Sequence, residues 1–372
     1  MSTKPYTDGI NTNDTTEHLL HLGWNSHFQQ QLENRNTATG IPARVVGVRK
    51  NSFCISNGAR EWIATVSGKL LHRKNALYPV TGDWVLTTDT VISRVLARKN
   101  ALSRGAAGTR GRQDSLPHKE QVIAANLDSV FIVCGLDRDF NLRRIERYLT
   151  LVYNCGLAPV IILTKADLHQ DPEPFVIEAE TVAMGVPLYL VSAHDRIGLS
   201  PLKAYLSPGQ TAAMVGSSGA GKSTLVNRLS GKNIQATRTI SDSVGKGRHT
   251  TTTRDLFIMP QGGMVIDNPG LREISFWDDG GGIDTAFPEI EQLARSCHFS
   301  NCSHMHEPGC RVLKAVSDGD LAAGRLASYR KMKSELTYLS DRLHKSADRI
   351  EKERWKDVAL KIKSMKKGKR HG

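Results

Sequence analysis

Apolar residues between Ile41 and Leu102 come in short runs separated by turn formers. Ala43-Arg44-Val45-Val46-Gly47-Val48, Ser52-Phe53-Cys54-Ile55, Trp62-Ile63-Ala64-Thr65-Val66 and Asp83-Trp84-Val85-Leu86 are rich in β-formers; Asn57-Gly58, Gly68, Pro79 and Thr81-Gly82 punctuate them. Such runs at this spacing predict a small N-terminal β-barrel, for which an OB-fold fits best and an SH3-like barrel stays open. From Ser129 the period changes. Ser129-Val130-Phe131-Ile132-Val133-Cys134 and Val160-Ile161-Ile162-Leu163 are continuous apolar runs, as in strands buried on both faces. Helical patterns over Asn141–Tyr153 and Pro174–Met184 alternate with them, followed by strand patterns at Pro187–Val191, Thr211–Val215, Leu256–Met259 and Met264–Ile266. Alternation of this kind predicts a central α/β domain with a largely parallel sheet. Beyond Asp278-Asp279-Gly280-Gly281-Gly282 the chain reads as a short, mostly α domain.

The resulting partition has an N-terminal extension at 1–40 with a short helix around Ser26–Glu33, a barrel at 41–105 and a Gly/Arg-rich basic linker at 106–119. The α/β domain follows at 120–280, a Cys/His-bearing domain at 281–345 and a Lys-rich tail at 346–372. The chain of 372 residues is long enough for two or three domains with real cores.

Charge adds a class of partner. Lys and Arg (50) outnumber Asp and Glu (37), a net charge of +13, which favours polyanions, nucleic acid first. On the barrel, Arg44, Arg49, Lys50, Arg60, Lys69, Arg73 and Lys74 suit an RNA-binding surface, or simply a solvated face. Met1–Glu17 has no apolar core of a signal peptide, and no stretch is long and apolar enough to span a bilayer, so a cytoplasmic chain is expected. Cys54, Cys134 and Cys155 stand singly in apolar surroundings and read as core; Cys297, Cys302 and Cys310 are clustered.

The chemistry starts at Gly216-Ser217-Ser218-Gly219-Ala220-Gly221-Lys222-Ser223, a complete G-x-x-x-x-G-K-[ST] followed by Thr224. Its backbone N–H groups can cradle phosphates, Lys222 can reach the β- and γ-oxygens, and Ser223 can ligate Mg²⁺. Thr164-Lys165-Ala166-Asp167 follows an apolar strand pattern, at the edge where α/β sheets bind ligands. Asp167 can accept both the ring N–H and the exocyclic amine of guanine, a donor pair that adenine lacks. The stem of Lys165 can lie along the base, and Ser192-Ala193 can offer a backbone N–H to the guanine carbonyl. Thr164 stands where GTPases usually have Asn, so a looser hold on the P-loop is expected. Asp267-Asn268-Pro269-Gly270 supplies Asp267 to the Mg²⁺ shell and the Gly270 N–H to the γ-phosphate. Leu271 follows where Ras-like enzymes carry their water-orienting Gln. Gly247-Arg248-His249-Thr250-Thr251-Thr252-Thr253 lies where a switch loop belongs: His249 is the candidate for orienting water, or else an RNA-contacting residue, and Thr250, Thr251 and Thr252 are candidates for Mg²⁺.

Cys297-x4-Cys302-x-His304-x5-Cys310 offers three thiols and an imidazole, the donor set of a closed structural zinc site. His298 and His306 are alternatives to His304, and Pro308-Gly309 predicts the turn that returns Cys310.

In an ordinary small GTPase the P-loop comes first; here T-K-x-D and S-A precede it. Together with G-R-H-T-T-T, D-x-P-G and C-x4-C-x-H-x5-C, this order resembles the RsgA (YjeQ/YloQ) family of circularly permuted GTPases, over roughly Ile41–Leu339. The resemblance implies an OB-fold, a permuted P-loop GTPase domain and a zinc-binding carboxyl domain. It implies GTP hydrolysis to GDP and Pi, stimulated by the small (30S) ribosomal subunit, during late maturation of that subunit. It also implies contact with 16S rRNA, one structural Zn²⁺ per chain, Mg²⁺ with GTP, a catalytic role for His249 and a monomer. Leu271 and Thr164 leave room for a rival, an RNA-binding scaffold that uses nucleotide only for structure.

Overall fold

The computed structural model describes residues 12–33, 40–72, 77–105, 120–231, 254–267, 276 and 281–344. The expectations for the basic linker, for His249, Thr250, Thr251 and Thr252, for Gly270 and Leu271, and for the Lys-rich tail fall outside them. Two compact units divide the chain: Met1–Ser103 with Val122–Arg272, and Arg104–Gln121 with Glu273–Gly372.

The first unit opens with helices α1 (Thr12–His21) and α2 (Ser26–Glu33). The second coincides with the helix expected in the extension. They are not a loose tail: Leu19, Leu22, Trp24 and Phe28 are buried, and Trp24 and Phe28 bring their rings to 4.8 and 5.8 Å from Trp84. Strands β1 (Ile41–Val48), β2 (Phe53–Ser56), β3 (Glu61–Val66), β4 (Trp84–Thr88) and β5 (Val91–Val95) then close a barrel, with a four-residue helix α3 (Gly68–Leu71) after β3. The order β1-β2-β3-β5-β4, returning to β1, with β3 and β5 parallel, is the closed five-stranded OB arrangement. Its core is Ala43, Val45, Phe53, Ile55, Ala64, Val85 and Ile92. The sequence pattern missed β5, whose exposed Val91 and Ser93 dilute a five-residue run.

A two-stranded ribbon, β6 (Ala101–Gly105) and β7 (Glu120–Ala125), leads to the α/β sheet. There the elements are β8 (Ser129–Gly135), α4 (Leu142–Asn154), β9 (Pro159–Thr164), α5 (Glu173–Glu180), β10 (Leu188–Val191), β11 (Thr211–Val215), α6 (Lys222–Ser230), β12 (Arg254–Ile258) and β13 (Met264–Asp267). Spatial order is β10-β9-β8-β11-β13-β12, parallel except for β12. All seven residues of β8 and all five of β11 are buried, as their unbroken apolar runs require. Asn141 caps α4 by accepting from the Arg144 N–H at 3.1 Å, and Ile145, Tyr148, Leu149 and Val152 form its buried stripe.

The barrel and the α/β sheet are not separate. The first half of β1 pairs with β4, while Gly47 and Val48 pair with Asp255 and Arg254 of β12, so eleven strands form one sheet. A Cβ on Gly47 would lie 2.6 Å from the Asp255 carboxylate, which Arg49 meets at 2.8 Å. Arg44 corrects the surface reading made from sequence: it is 1% exposed. Its guanidinium donates to the carbonyls of Leu22, Gly82 and Asn126, joining helix, barrel and α/β sheet. Burial pushes its pKa down to about 10, with Asp128 and Asp83 opposing, so it stays charged at neutral pH. Cys134 is buried as expected; Cys54 and Cys155 are only half-buried.

The second unit contains helices Gly282–Ala286, Pro288–Ala294, Arg311–Asp318 and Ala323–His344, the mostly α domain expected. Phe287, Ile290, Val312, Leu326 and Tyr329 fill its core. No described helix is long and apolar enough to cross a membrane.

Candidate nucleotide site and metal cluster

β11 ends at Val215 and α6 begins at Lys222, so the P-loop sits at the carboxyl edge of the central strand. Gly216 must be glycine: its φ is +151°, and a Cβ there would lie 2.3 Å from the Val133 carbonyl oxygen. Lys222 folds back, donating to the Gly216 and Ser217 carbonyls at 2.9 and 2.6 Å. An ammonium has three protons, so one remains for a phosphate oxygen. Burial lowers the Lys222 pKa, while Asp267 and Asp139 oppose the shift. Ser223 and Thr224 are exposed in the first turn of α6. Asp267 ends β13, in register with Met214 of β11, which brings it to the same sheet edge.

Thr164 ends β9 two strands away. Its Oγ1 donates to the Ala220 carbonyl at 2.6 Å, and it is 2% exposed. The shorter residue thus grips the P-loop directly; at Gly221, φ +93°, a Cβ would come within 3.2 Å of that same hydroxyl. Lys165 takes a left-handed φ of +61°, turning the chain into the single-turn helix Ala166–Leu168 that carries Asp167. The Ser192 hydroxyl, at the end of β10, lies 2.7 Å from Asp167 Oδ1 and 3.1 Å from Asp195 Oδ2. Ala193 follows in the same turn, which closes through reciprocal backbone bonds of 3.1 Å between Ser192 and Ile197.

In the second unit, the ligand atoms of Cys297, Cys302, His304 and Cys310 all lie within 4.8 Å of one another. Cys297 Sγ is 3.8 Å from Cys310 Sγ, and His304 Nδ1 is 3.7 and 3.5 Å from those two sulfurs. Tetrahedral thiolates bound at about 2.3 Å stand about 3.8 Å apart, so the group has the dimensions to hold a metal ion. Of the three histidines considered, His304 is the one in the group, buried and at a left-handed φ of +56°. Gly309, at φ +72°, makes the expected return turn, and Cys310 caps the helix Arg311–Asp318 by accepting from Leu313 N–H.

Residues 95–277 match the family model described as RsgA GTPase. A relative from Methanosarcina acetivorans, named small ribosomal subunit biogenesis GTPase RsgA, is 45% identical over 82% of this chain and 82% of its own. One of the same name from Opitutus terrae is 41% identical over 91% of this chain and 95% of its own. The chain belongs to the RsgA GTPase family.

Among solved structures, YjeQ from Thermotoga maritima is similar with a TM-score of 0.56 and 29% identity, covering 80% of this chain and 98% of that one. YloQ, titled a circularly permuted GTPase, shares the fold at a TM-score of 0.54 and 22% identity, covering 82% of this chain and 97% of that one. The permutation is visible in the strand order of this RsgA chain. The P-loop strand β11 is central in space yet follows β8, β9 and β10 in the chain, so Thr164–Asp167 after β9 and Ser192-Ala193 after β10 precede the P-loop.

Sequence reasoning missed two carboxylates of this RsgA site. Asp137 meets Lys165 Nζ at 2.6 Å, and Asp139 accepts from the Ser217 hydroxyl of the P-loop and from Arg144. The available signal was Asp-x-Asp directly after the apolar run of β8, where a parallel strand delivers its loop to the ligand edge.

Proposed function

We propose that this RsgA-family protein binds the small ribosomal subunit through its rRNA and hydrolyses GTP to GDP and Pi during late maturation of that subunit. The observation that carries the reading is the junction of three loops at one sheet edge: Thr164 tied to Ala220, and Ser192 tied to Asp167. It sets a guanine-reading carboxylate and a phosphate-binding loop on one rigid frame. Asp167 accepts the two guanine donors, the Lys165 stem lies along the purine, and the Ala193 N–H donates to the guanine carbonyl. The N–H groups of Gly216 to Thr224 and the Gly270 N–H hold the phosphates, and Lys222 adds its remaining proton. Ser223 and Asp267, with Thr250 or Thr251, are the residues to hold Mg²⁺, which when bound neutralises charge on the β- and γ-oxygens. His249 orients the attacking water, a role open because Leu271 has no polar group to take it. Cys297, Cys302, His304 and Cys310 hold one Zn²⁺, which with four protein ligands is structural. The relatives' shared name supports the ribosomal assignment. So does a net charge of +13, which suits 16S rRNA and makes binding fall steeply with salt. A cytoplasmic monomer is the form expected to act.

The test is GTP turnover with and without purified small subunits, beside co-sedimentation with a GTP analogue and with GDP. Stimulated turnover and tighter binding of the GTP form are expected. Unstimulated turnover with equal binding in both states would instead favour the scaffold reading. That reading loses half its sequence basis once Thr164 holds the P-loop.

A further inference from the structure

The loop between β8 and α4 touches both ends of the nucleotide site, and its own structure is stiff. The Leu136 N–H donates to the Thr164 carbonyl at 2.8 Å, and His169 Nε2 lies 2.6 Å from the Leu136 carbonyl, to which it donates. Asp137 Oδ1 accepts from the Asp139 N–H at 3.1 Å, the Asp137 carbonyl accepts from the Phe140 N–H at 3.1 Å, and the Phe140 ring meets Phe175 edge-on at 5.0 Å. From this base the two carboxylates diverge. Asp137 Oδ2 takes the Lys165 ammonium at 2.6 Å, and the Lys165 stem runs over Gly135, where a Cβ would lie 3.4 Å from its Cδ and Cε. Asp139 Oδ1 takes the Ser217 hydroxyl while its Oδ2 accepts from the Gly135 N–H at 3.3 Å. Ser217 is therefore held twice, by its hydroxyl on Asp139 and by its carbonyl on Lys222.

Both carboxylates are already engaged by protein donors, and a phosphate would repel Asp139. Arg144, also on Asp139 Oδ1, offsets that charge. What the pair can do is hold shape. We propose that Asp137 and Asp139 are positioning residues for the guanine nucleotide, Asp137 acting through Lys165 on the purine and Asp139 acting through Ser217 on the phosphate-binding loop. The assignment rests on the nucleotide reading above and extends it to side chains outside the recognised motifs. Because both stand on one braced loop, the base-reading and phosphate-binding halves, which the permutation places far apart in the chain, share a single strut.

The experiment is release of fluorescently labelled GDP from the full-length protein on dilution into excess unlabelled GDP. Asp139→Ala leaves the Ser217 hydroxyl without its charged acceptor and is expected to speed release about tenfold. Asp139→Asn keeps an oxygen acceptor and is expected to stay within about twofold of wild type, a rescue that a merely electrostatic role would not give. Asp137→Ala breaks a pair about one-third exposed and is expected to speed release about two- to fivefold. It is expected to act equally on GDP and inosine diphosphate, because Lys165 lies on any purine while Asp167 reads the amine. Asp139→Ala and Asp139→Asn releasing GDP at the same rate, or Asp139→Ala releasing at the wild-type rate, would overturn the assignment. Wild-type protein that never retains the labelled GDP would overturn the nucleotide reading together with it.

Discussion

The candidate nucleotide site gathers the loops after β8, β9, β10 and β11 and the end of β13, spread from Gly135 to Asp267, whereas the Cys/His cluster draws its four ligand atoms from Cys297 to Cys310. The first is held together by the protein alone: Thr164 on Ala220, Ser192 on Asp167, Asp139 on Ser217, all above the buried parallel strands β8, β9 and β11. The second is a local set of turns with left-handed residues, His304 and Cys310 buried but Cys297 and Cys302 only half-buried. There the Zn²⁺ proposed above would tie the local turns together. A preformed site tolerates loss of its ligand; a cluster of local thiols does not.

The largest expected effect breaks the cluster side of this contrast. Chelation, or Cys310→Ser, should remove about one zinc per chain, and structural zinc binding is worth on the order of 10 kcal/mol. Metal content and thermal melting should show an early transition for the second unit, while labelled GDP is still retained. Metal-free protein that melts like the wild type would erase the difference between the two regions.

Next comes Arg44→Met, aimed at what makes the first unit self-sufficient. It takes the guanidinium donor from the carbonyls of Leu22 and Asn126, and one of two donors from that of Gly82, which keeps the Asn126 amide at 3.0 Å. A loss of about 3–5 kcal/mol of unfolding free energy is expected, read as a lower denaturant midpoint. An unchanged midpoint would mean that the barrel and the α/β sheet are not joined through this guanidinium.

The smallest effect sharpens the comparison inside the nucleotide site. Thr164→Val keeps the shape of the side chain and removes one 2.6 Å hydrogen bond, costing about 1–1.5 kcal/mol. Release of GDP should quicken by roughly tenfold at nearly constant melting temperature. Thr164→Asn, the usual GTPase residue, should retain the grip; a rate equal to that of Thr164→Val would show that the hydroxyl is not what holds the loop.

Much of this was legible without coordinates, for a physical reason in each case. Unbroken apolar runs at Ser129–Cys134 and Val160–Leu163 announced strands buried on both faces, because burial is recorded residue by residue. The P-loop and the Cys/His spacing were legible because their chemistry is local: a phosphate cradle or a set of thiols needs fixed offsets along a few turns of chain. Asp167 was legible because its motif sits directly after a strand.

Tertiary structure decided the rest, because those features depend on partners far along the chain. Arg44 looked like a surface cation and is a buried junction, since its three acceptors come from Leu22, Gly82 and Asn126. That β1 would serve both the barrel and β12 could not be read from its pattern, which records which residues are apolar but not which edge they meet. Thr164 appeared a weak substitute for Asn until the distance to Ala220 was known. By itself the sequence determined the elements, the family pattern and the chemical groups at hand. How Asp137, Asp139 and Thr164 lock those groups into one site was decided only when the sheet brought the loops of β8, β9 and β11 together.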